Sequence, residues 1–431
     1  MAKAKSAAHW LMLPAIGLLI VNLFVGVKLH GQASAEEERE DAYRNMELFA
    51  QILGYVRKEY VDAEKVHYQD LYYSALRGML ASLDPHSQFL DPRSYEGMQE
   101  DTSGAFGGLG IQIGMRDSVL TVIAPMEDTP AYQEGILPGD RIIEVEGQGT
   151  ENMTLNEAVE KLRGEPGTKV TITILRVGER SREIKKVTMT RAIINVTSVK
   201  WDKDLHPGGI GYIRITQFNT PTEGEFDEAL KDLQAKGMEA LVLDLRNNPG
   251  GLLTSACRVT SEFIPEGKLI VSTQGRSQET RKYNSSRGEK QPPYPMVVLV
   301  NGYSASGSEI VAGALQDHRR AVLIGERTYG KGSVQSVLPI PNGAGAAVRL
   351  TTAKYYTPSE RLIHGVGIEP DILVPISDDM ERALFLQRSR PENGYDQPTK
   401  PVPDVQLERA FDLLRGLKIF AERQGVEYAW H

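Results

Sequence analysis

Apolar residues recur at helical spacing near both ends of the chain and in strand-like runs between them. Leu48, Ile52 and Val56 repeat at four-residue steps with Phe49 and Leu53 beside them, and Leu71, Ala75, Met79 and Leu83 repeat the pattern. These stripes predict a helical segment over 36–95, in which the two prolines of "SLDPHSQFLDP" stop the helix. From 96 to 185 the runs shorten to "LGIQIG", "LTVIAP", "RIIEVEG" and "KVTITILR", with one amphipathic helix in "TLNEAVEKLRG", which predicts a compact β-rich module. From 190 to 376 the rhythm becomes strand, loop, helix: "IGYIRI", "GEFDEALKDLQAKG", "ALVLDL", "GLLTSACRVTSEFI", "MVVLVN", "SGSEIVAGALQDH", "AVLIGE". Continuous apolar strands between amphipathic helices predict an α/β layered core with buried strands. The polar stretch 377–402 reads as a linker and 403–431 as a closing helix.

Composition narrows the function classes. A chain of 431 residues needs more than one domain. Its net charge of −8 is spread along the chain and leaves no basic patch for nucleic acid. One cysteine, Cys257, excludes intrachain disulfides and Cys-x-x-Cys metal sites, and its apolar surroundings predict packing rather than reactivity. The N-terminus departs from this globular pattern. Basic "MAKAKSAAH" leads into "WLMLPAIGLLIVNLFVGV" (Trp10 to Val27), free of charge and about long enough to cross a bilayer. Residues 1–35 therefore read as an export signal, either kept as an inner-membrane anchor or cleaved at "ASA" (Ala33 to Ala35). Lys3 and Lys5 orient it with the remainder of the chain outside the cytoplasm.

Chemistry concentrates in three segments. In "NGYSASGSEI", Ser304, Ser306 and Ser308 occupy the turn between a strand and a helix. Free N–H groups and the positive end of the helix dipole favour an oxyanion there, although capping is the commoner use of serine at this place. The nucleophile-elbow pattern Gly-x-Ser-x-Gly is missed at Ser304, because residue 306 is serine. "LVLDLRNNPGGLL" puts a buried strand directly before a Gly-Gly turn, whose N–H groups can approach a carbonyl or merely close a turn. "ERTYGKGSVQS" holds Lys331 between glycines, with Gln335 four residues on. A lysine replaces histidine as general base once burial removes its charge, and bringing its pKa near 7 costs roughly 4 to 5 kcal/mol.

The stretches "DLRNNPGG", "SASGSEIVAGAL", "YGKGSVQ" and "TTAKYYTPSERLIHGVGIEPD", in this order, resemble the carboxyl-terminal processing proteases, or tail-specific proteases. The resemblance runs from "SLDPHSQFL" to "GIEPDI". It implies a crotonase-like or Clp-protease-like core, with Ser306 as nucleophile, Lys331, 25 residues later, as base, and Gln335 in support. It also implies an oxyanion hole from Gly307 and the Gly250–Gly251 turn, and needs no metal or cofactor. Two positions depart from the family: many members carry Ala at Gly307 and Gly at Glu360.

The β-rich module resembles a PDZ domain. In "GAFGGLGIQIG" the N–H groups of Leu109, Gly110 and Ile111 would receive a peptide's terminal carboxylate, with Ala158 and Leu162 on the other wall of an apolar pocket. A dinucleotide fingerprint fails here, because the glycine spacing differs and a strand follows. Arg163, in "KLRGEPGT", matches the arginine that in some relatives couples the PDZ domain to the catalytic lysine and glutamine.

The expectation is an exported cell-envelope endopeptidase that takes protein substrates by apolar C-terminal tails, forms homo-oligomers through its terminal helices, leaves room for an adaptor protein and touches membrane only through its N-terminus. Two rivals stand beside it: a non-catalytic PDZ adaptor, and a Ser-His esterase using His318 or His364.

Overall fold

Alternation decides which way the central strands face. In the strand Ala240–Asp244, Leu241 and Leu243 point into one apolar cluster while Ala240 and Val242 point into another, and the strand is buried throughout. The computed structural model describes residues 39–424 apart from 117–118, 127–128, 138, 152, 154, 178–181, 277–278, 287–290 and 389–400. The predicted export segment lies outside the described residues, as do residues 389–400 of the polar stretch 377–402 and the end of the closing helix.

The chain divides into two units between Leu83 and Asp84. The first holds a helix over 39–59 and another over Tyr68–Ala81. Within it, the Arg57 guanidinium lies 3.5 Å from the centre of the Tyr68 ring and Nε donates to the carbonyl of Val66. Its apolar stripe stays largely exposed at Met46, Phe49, Ile52 and Met79. The helical segment expected to reach residue 95 ends here as a separate unit. Gln88–Leu90 is a strand of the second unit, paired with Ala347–Arg349.

The second unit is built on a six-stranded sheet in the order 199–201, 210–215, 240–244, 296–300, 322–325, 372–373, parallel except at its first pair. Helices Thr222–Ala235, Leu253–Ser261 and Gly307–Asp317 cover one face through Phe226, Leu230, Ala256, Val259, Ile310 and Leu315. Helix Val405–Gln424 covers the other through Ala410, Phe411 and Leu414. A second, antiparallel sheet joins 88–90, 347–356, 269–275 and 281–284, and 333–339 pairs with 347–356 as well. The stretch expected to be linker opens with helix Asp378–Arg388, where Ser377 Oγ accepts the N–H of Met380.

The β-rich module is a sheet of 111–116, 119–125, 141–145, 169–177 and 182–190 with helix Leu155–Leu162 against it. Inside it, the buried Asp140 carboxylate takes two bonds from Arg176 at 2.7 Å. The chain enters and leaves this module side by side, as an antiparallel ribbon of Ala105–Gly108 with Ala192–Asn195. Before the ribbon, helix Pro92–Ser103 is capped by Asp91, which accepts the N–H of Ser94, and ends at Gly104 with φ 74°, where a Cβ would stand 2.8 Å from Asn219 Nδ2.

Candidate active site

Two of the three candidate serines are consumed in holding loops together. Ser304 Oγ donates to the carbonyl of Leu245 at 2.8 Å and accepts the N–H of Asn301, while Ser308 Oγ donates to the carbonyl of Asn248 at 2.9 Å. Both are fully buried. They pin the serine turn to the loop after strand Ala240–Asp244, and Ala305 N–H adds a third bond to Asn248 O. Ser306 is part-exposed between them at the N-cap of helix Gly307–Asp317, with φ 52° and ψ −108°. A side chain held at positive φ is strained, and such strain gathers where a side chain must be presented to a reactant.

The glycine turn meets this serine directly. A Cβ on Gly250 would lie 2.7 Å from Gly307 N and 2.8 Å from Ser306 Cβ, so only glycine allows the approach. The Gly250 N–H, however, donates to Asn248 Oδ1 at 2.8 Å and is not free for a substrate. Gly251 bridges in parallel to Phe218, whose N–H bonds Gly250 O and whose carbonyl accepts from Leu252. Among the described residues the N–H groups of Gly251 and Gly307 have no acceptor, so of the expected oxyanion set only the N–H of Gly250 is already taken. The glycine at 307 fits its surroundings: an added Cβ would come 3.0 Å from the ring of Phe218, a contact that a small shift relieves. Glu360, the second position that departs from the expected pattern, sits at φ 63° in the turn after strand Ala347–Tyr356, a backbone conformation that favours glycine.

Lys331 follows Gly330 in the loop before strand Ser333–Pro339. Its amine is half-buried and forms no hydrogen bond or ion pair among the described residues. Burial first, and then the Arg349 guanidinium, hold its pKa below the ordinary lysine value, against an opposing pull from Glu309. Arg349 is fixed by bonds to the carbonyl of His86 and to Gln88 Oε1. His86 is itself pushed down by burial and then by the charge of Lys331, so the turn 84–87 faces the same amine.

Gln335 does not reach Lys331 in this conformation. The ladder slips between Val334 and Gln335, setting Gln335 opposite Thr351, and its amide donates to Ser333 Oγ at 2.8 Å and Thr351 Oγ1 at 3.4 Å. Of the two histidines, His318 is not placed as a serine base. It ends helix Gly307–Asp317, ~16 Å along it at about 1.5 Å per residue, and bonds the carbonyl of Leu269. The backbone of His364 lies against Gly332, where a Cβ would come within 2.1 Å of its nitrogen, and its Nδ1 is buried without a partner.

One residue that sequence reasoning missed joins the two loops. Glu309, with no exposed surface, accepts Ser306 N–H and Lys331 N–H on Oε2, each at 2.8 Å, and Gly330 N–H and Thr328 Oγ1 on Oε1 at 2.7 and 2.6 Å. The signal was present as serine followed three residues later by glutamate, the capping-box spacing.

In the β-rich module, Gly110 turns at φ 71° against Thr129, and its carbonyl and that of Leu109 accept from Met126 and Ala131. The N–H groups of Leu109 and Gly110 donate to no described residue. Ile111 begins the next strand, and Ala158 and Leu162 pack with Leu109 in the core of the module. Arg163 lies over the Phe106 ring at 4.4 Å and pairs with Asp101 at 3.0 Å and Glu100 at 3.9 Å, and so links the module to helix Pro92–Ser103. It contacts neither Lys331 nor Gln335. No cluster of metal-ligating side chains occurs among the described residues.

Comparison with known proteins places this arrangement. The model of peptidase family S41 matches residues 209–374 and that of PDZ domains residues 121–176. The carboxy-terminal-processing protease of Bartonella bacilliformis is 40% identical over 430 residues, covering 94% of this chain and 96% of its own. The carboxyl-terminal-processing protease of Synechocystis is 38% identical over 349 residues, covering 80% and 77%. Among solved structures, a photosystem II D1 C-terminal processing protease aligns at 31% identity and a TM-score of 0.45 over 76% of this chain and 86% of its own. The class is that of a serine-type peptidase carrying a PDZ domain. The chain belongs to the carboxy-terminal processing proteases of peptidase family S41.

Proposed function

We propose that this chain is an exported endopeptidase that takes protein substrates by apolar C-terminal tails at its PDZ domain and hydrolyses them with a Ser306–Lys331 dyad. Ser306 Oγ attacks the peptide carbonyl while neutral Lys331 takes its proton, and the carbonyl oxygen becomes an anion between the N–H groups of Gly307 and Gly251. Collapse expels the amine, which receives the proton from the Lys331 ammonium. Water, deprotonated by the same lysine, then cleaves the acyl-enzyme. The observation that carries this reading is the attachment of Ser306 N–H and Lys331 N–H to one oxygen of Glu309, which ties together the two backbone segments that bear the hydroxyl and the amine.

The free N–H groups at Leu109 and Gly110 support capture of a terminal carboxylate, with the peptide added as a strand beside Ile111–Arg116. Gln335 and Arg163 are assigned to the docked state, in which Gln335 orients the amine and Arg163 couples the PDZ domain to it. Residues 10–27 carry the chain across the membrane and its helical ends mediate self-association, with an adaptor protein as a further partner. A crotonase-like or Clp-protease-like ancestry of the core belongs to the same proposal.

Hydrolysis of casein and of a quenched peptide with an apolar free C-terminus, read beside calorimetric tail binding, tests the assignment. Ser306→Ala and Lys331→Ala should each lose more than about a thousandfold in kcat with tail affinity kept. A wild-type protein that binds tails without hydrolysing them would support the adaptor reading. Activity that survives Lys331→Ala but is lost in His318→Ala or His364→Ala would support the esterase.

A further inference from the structure

An N3 glutamate in a capping box needs only the N–H of its own N-cap residue. Glu309 does that and more: three of its four accepted bonds come from Thr328, Gly330 and Lys331, some twenty residues further along the chain. The side chain has no exposed surface, and no lysine or arginine ion-pairs with it among the described residues. All four partners are donors, a set that only the ionised carboxylate accepts in full. An unpaired charge in the interior is costly, and simple capping would be met by a shorter or neutral side chain at less cost.

The loop it holds is fixed on its other side as well. Thr328 Oγ1, while donating to Glu309, accepts the N–H of Ile368, and a Cβ on Gly330 would press on the backbone of Val366 and Gly367 at 3.2 and 3.1 Å. The loop of Lys331 is thus clamped between the 365–368 turn and one carboxylate, and that carboxylate also holds the strained backbone of Ser306.

We infer that Glu309 is a positioning residue of the dyad: its carboxylate fixes the spacing between the loop of the nucleophile and the loop of the base. The inference rests on the Ser306–Lys331 mechanism. The charged and titratable groups that face Lys331 are Glu309 from the nucleophile helix, Arg349 from strand Ala347–Tyr356 and His86 from the turn 84–87, with Asp84 and His364 beside His86. Of the two that act on Lys331 most strongly, Arg349 makes its amine easier to deprotonate and Glu309 makes it harder.

Glu309→Gln and Glu309→Asp separate reach from charge. The amide keeps the length, but turns N–H hydrogens toward two N–H donors and carries no charge. With the quenched apolar-tail peptide and the full chain, kcat of Glu309→Gln should fall about a hundredfold at its own pH optimum with KM within about threefold, as a displacement of about 1 Å between reacting groups produces. The acidic limb of its kcat profile should move to lower pH, because a cation-stabilising charge has gone; a purely structural role would leave that limb in place. Aspartate keeps the charge and loses the reach, so its kcat should fall while its acidic limb stays at the wild-type position.

Should Glu309→Gln not fold, the rate at which a fluorophosphonate labels Ser306 in folded Glu309→Asp decides the matter: a fall of tenfold or more supports the inference and a wild-type rate overturns it. With Ser306→Ala inactive, a Glu309→Gln enzyme within threefold of wild-type kcat and with an unmoved acidic limb would overturn this inference alone. Hydrolysis surviving in Ser306→Ala would overturn it together with the mechanism beneath it.

Discussion

At the scale of single residues, the proposed reaction turns on how an amine loses its charge at neutral pH. Lys331 is only half-buried, so desolvation is incomplete, and Arg349 supplies a further push in the same direction. Replacing Arg349 with glutamine removes that push. The amine becomes more basic, the neutral fraction at a given pH falls, and the acidic limb of kcat moves to higher pH. Activity at pH 7 should drop about three- to tenfold and recover in alkaline buffer, because the Arg349 charge that favours the neutral amine has gone. A pH profile that superimposes on wild type would show that Arg349 has no electrostatic part in the reaction. The proposed nucleophile and base, Ser306 and Lys331, stand out in the sequence only as residue types at a family spacing. Glu309 was overlooked because its capping partner is local while the loop it clamps is distant in sequence.

At the scale of elements, the decisive feature is how closely backbones approach around the oxyanion turn. A Cβ on Gly251 would lie 2.0 Å from the carbonyl of Phe218, at φ 143°, so Gly251→Ala must push the turn off its neighbouring strand. Its kcat should fall about a hundredfold or more, the loss expected when an oxyanion donor is misplaced, and stability should fall by about 1–3 kcal/mol. Peptide kinetics and urea unfolding measure the two. Gly416, in the closing helix with nothing near its absent Cβ, provides the control, and Gly416→Ala should be neutral or stabilising by up to about 1 kcal/mol.

Elements differed in how plainly the sequence announced them. The central strands were legible because they are buried on both faces and read as apolar runs. Strands Ser333–Pro339 and Ala347–Tyr356 were not, since they are mostly half-buried and carry threonine, lysine and glutamine on their open face. Their pairing partners, such as 88–90, are also far away in sequence. The same limit hid helix Asp378–Arg388, whose Glu381 takes a 2.6 Å bond from Asn301, behind the polar composition of the stretch around it.

At the scale of the whole molecule, the active-site loops are anchored from behind by the chain's last helix. Arg246, at the start of the glycine turn and only 2% exposed, binds Asp244 and reaches across to Asp404 and Gln406 at 2.8 to 3.0 Å. Asp404 also caps the closing helix through the N–H of Leu407. Arg246→Met would leave two carboxylates facing each other in the interior. A loss of about 3–5 kcal/mol is expected in urea unfolding, together with loss of hydrolysis as the turn loosens. An unchanged unfolding midpoint would refute a structural role for this network. The PDZ module, in contrast, joins the core through a ribbon, one helix and the ion pairs of Arg163.

What the sequence determined by itself is whatever depends on neighbours along the chain. The period of the apolar positions set strands and helices, the glycines and capping residues set the turns, and the order of motifs identified the family. What only the tertiary structure decided is which of three serines stays free, which turn N–H remains unbonded and which carboxylate holds the two loops together. Those outcomes depend on hydrogen bonds between segments dozens of residues apart. Such bonds form only after burial has brought those segments into contact, and local propensity carries no record of them.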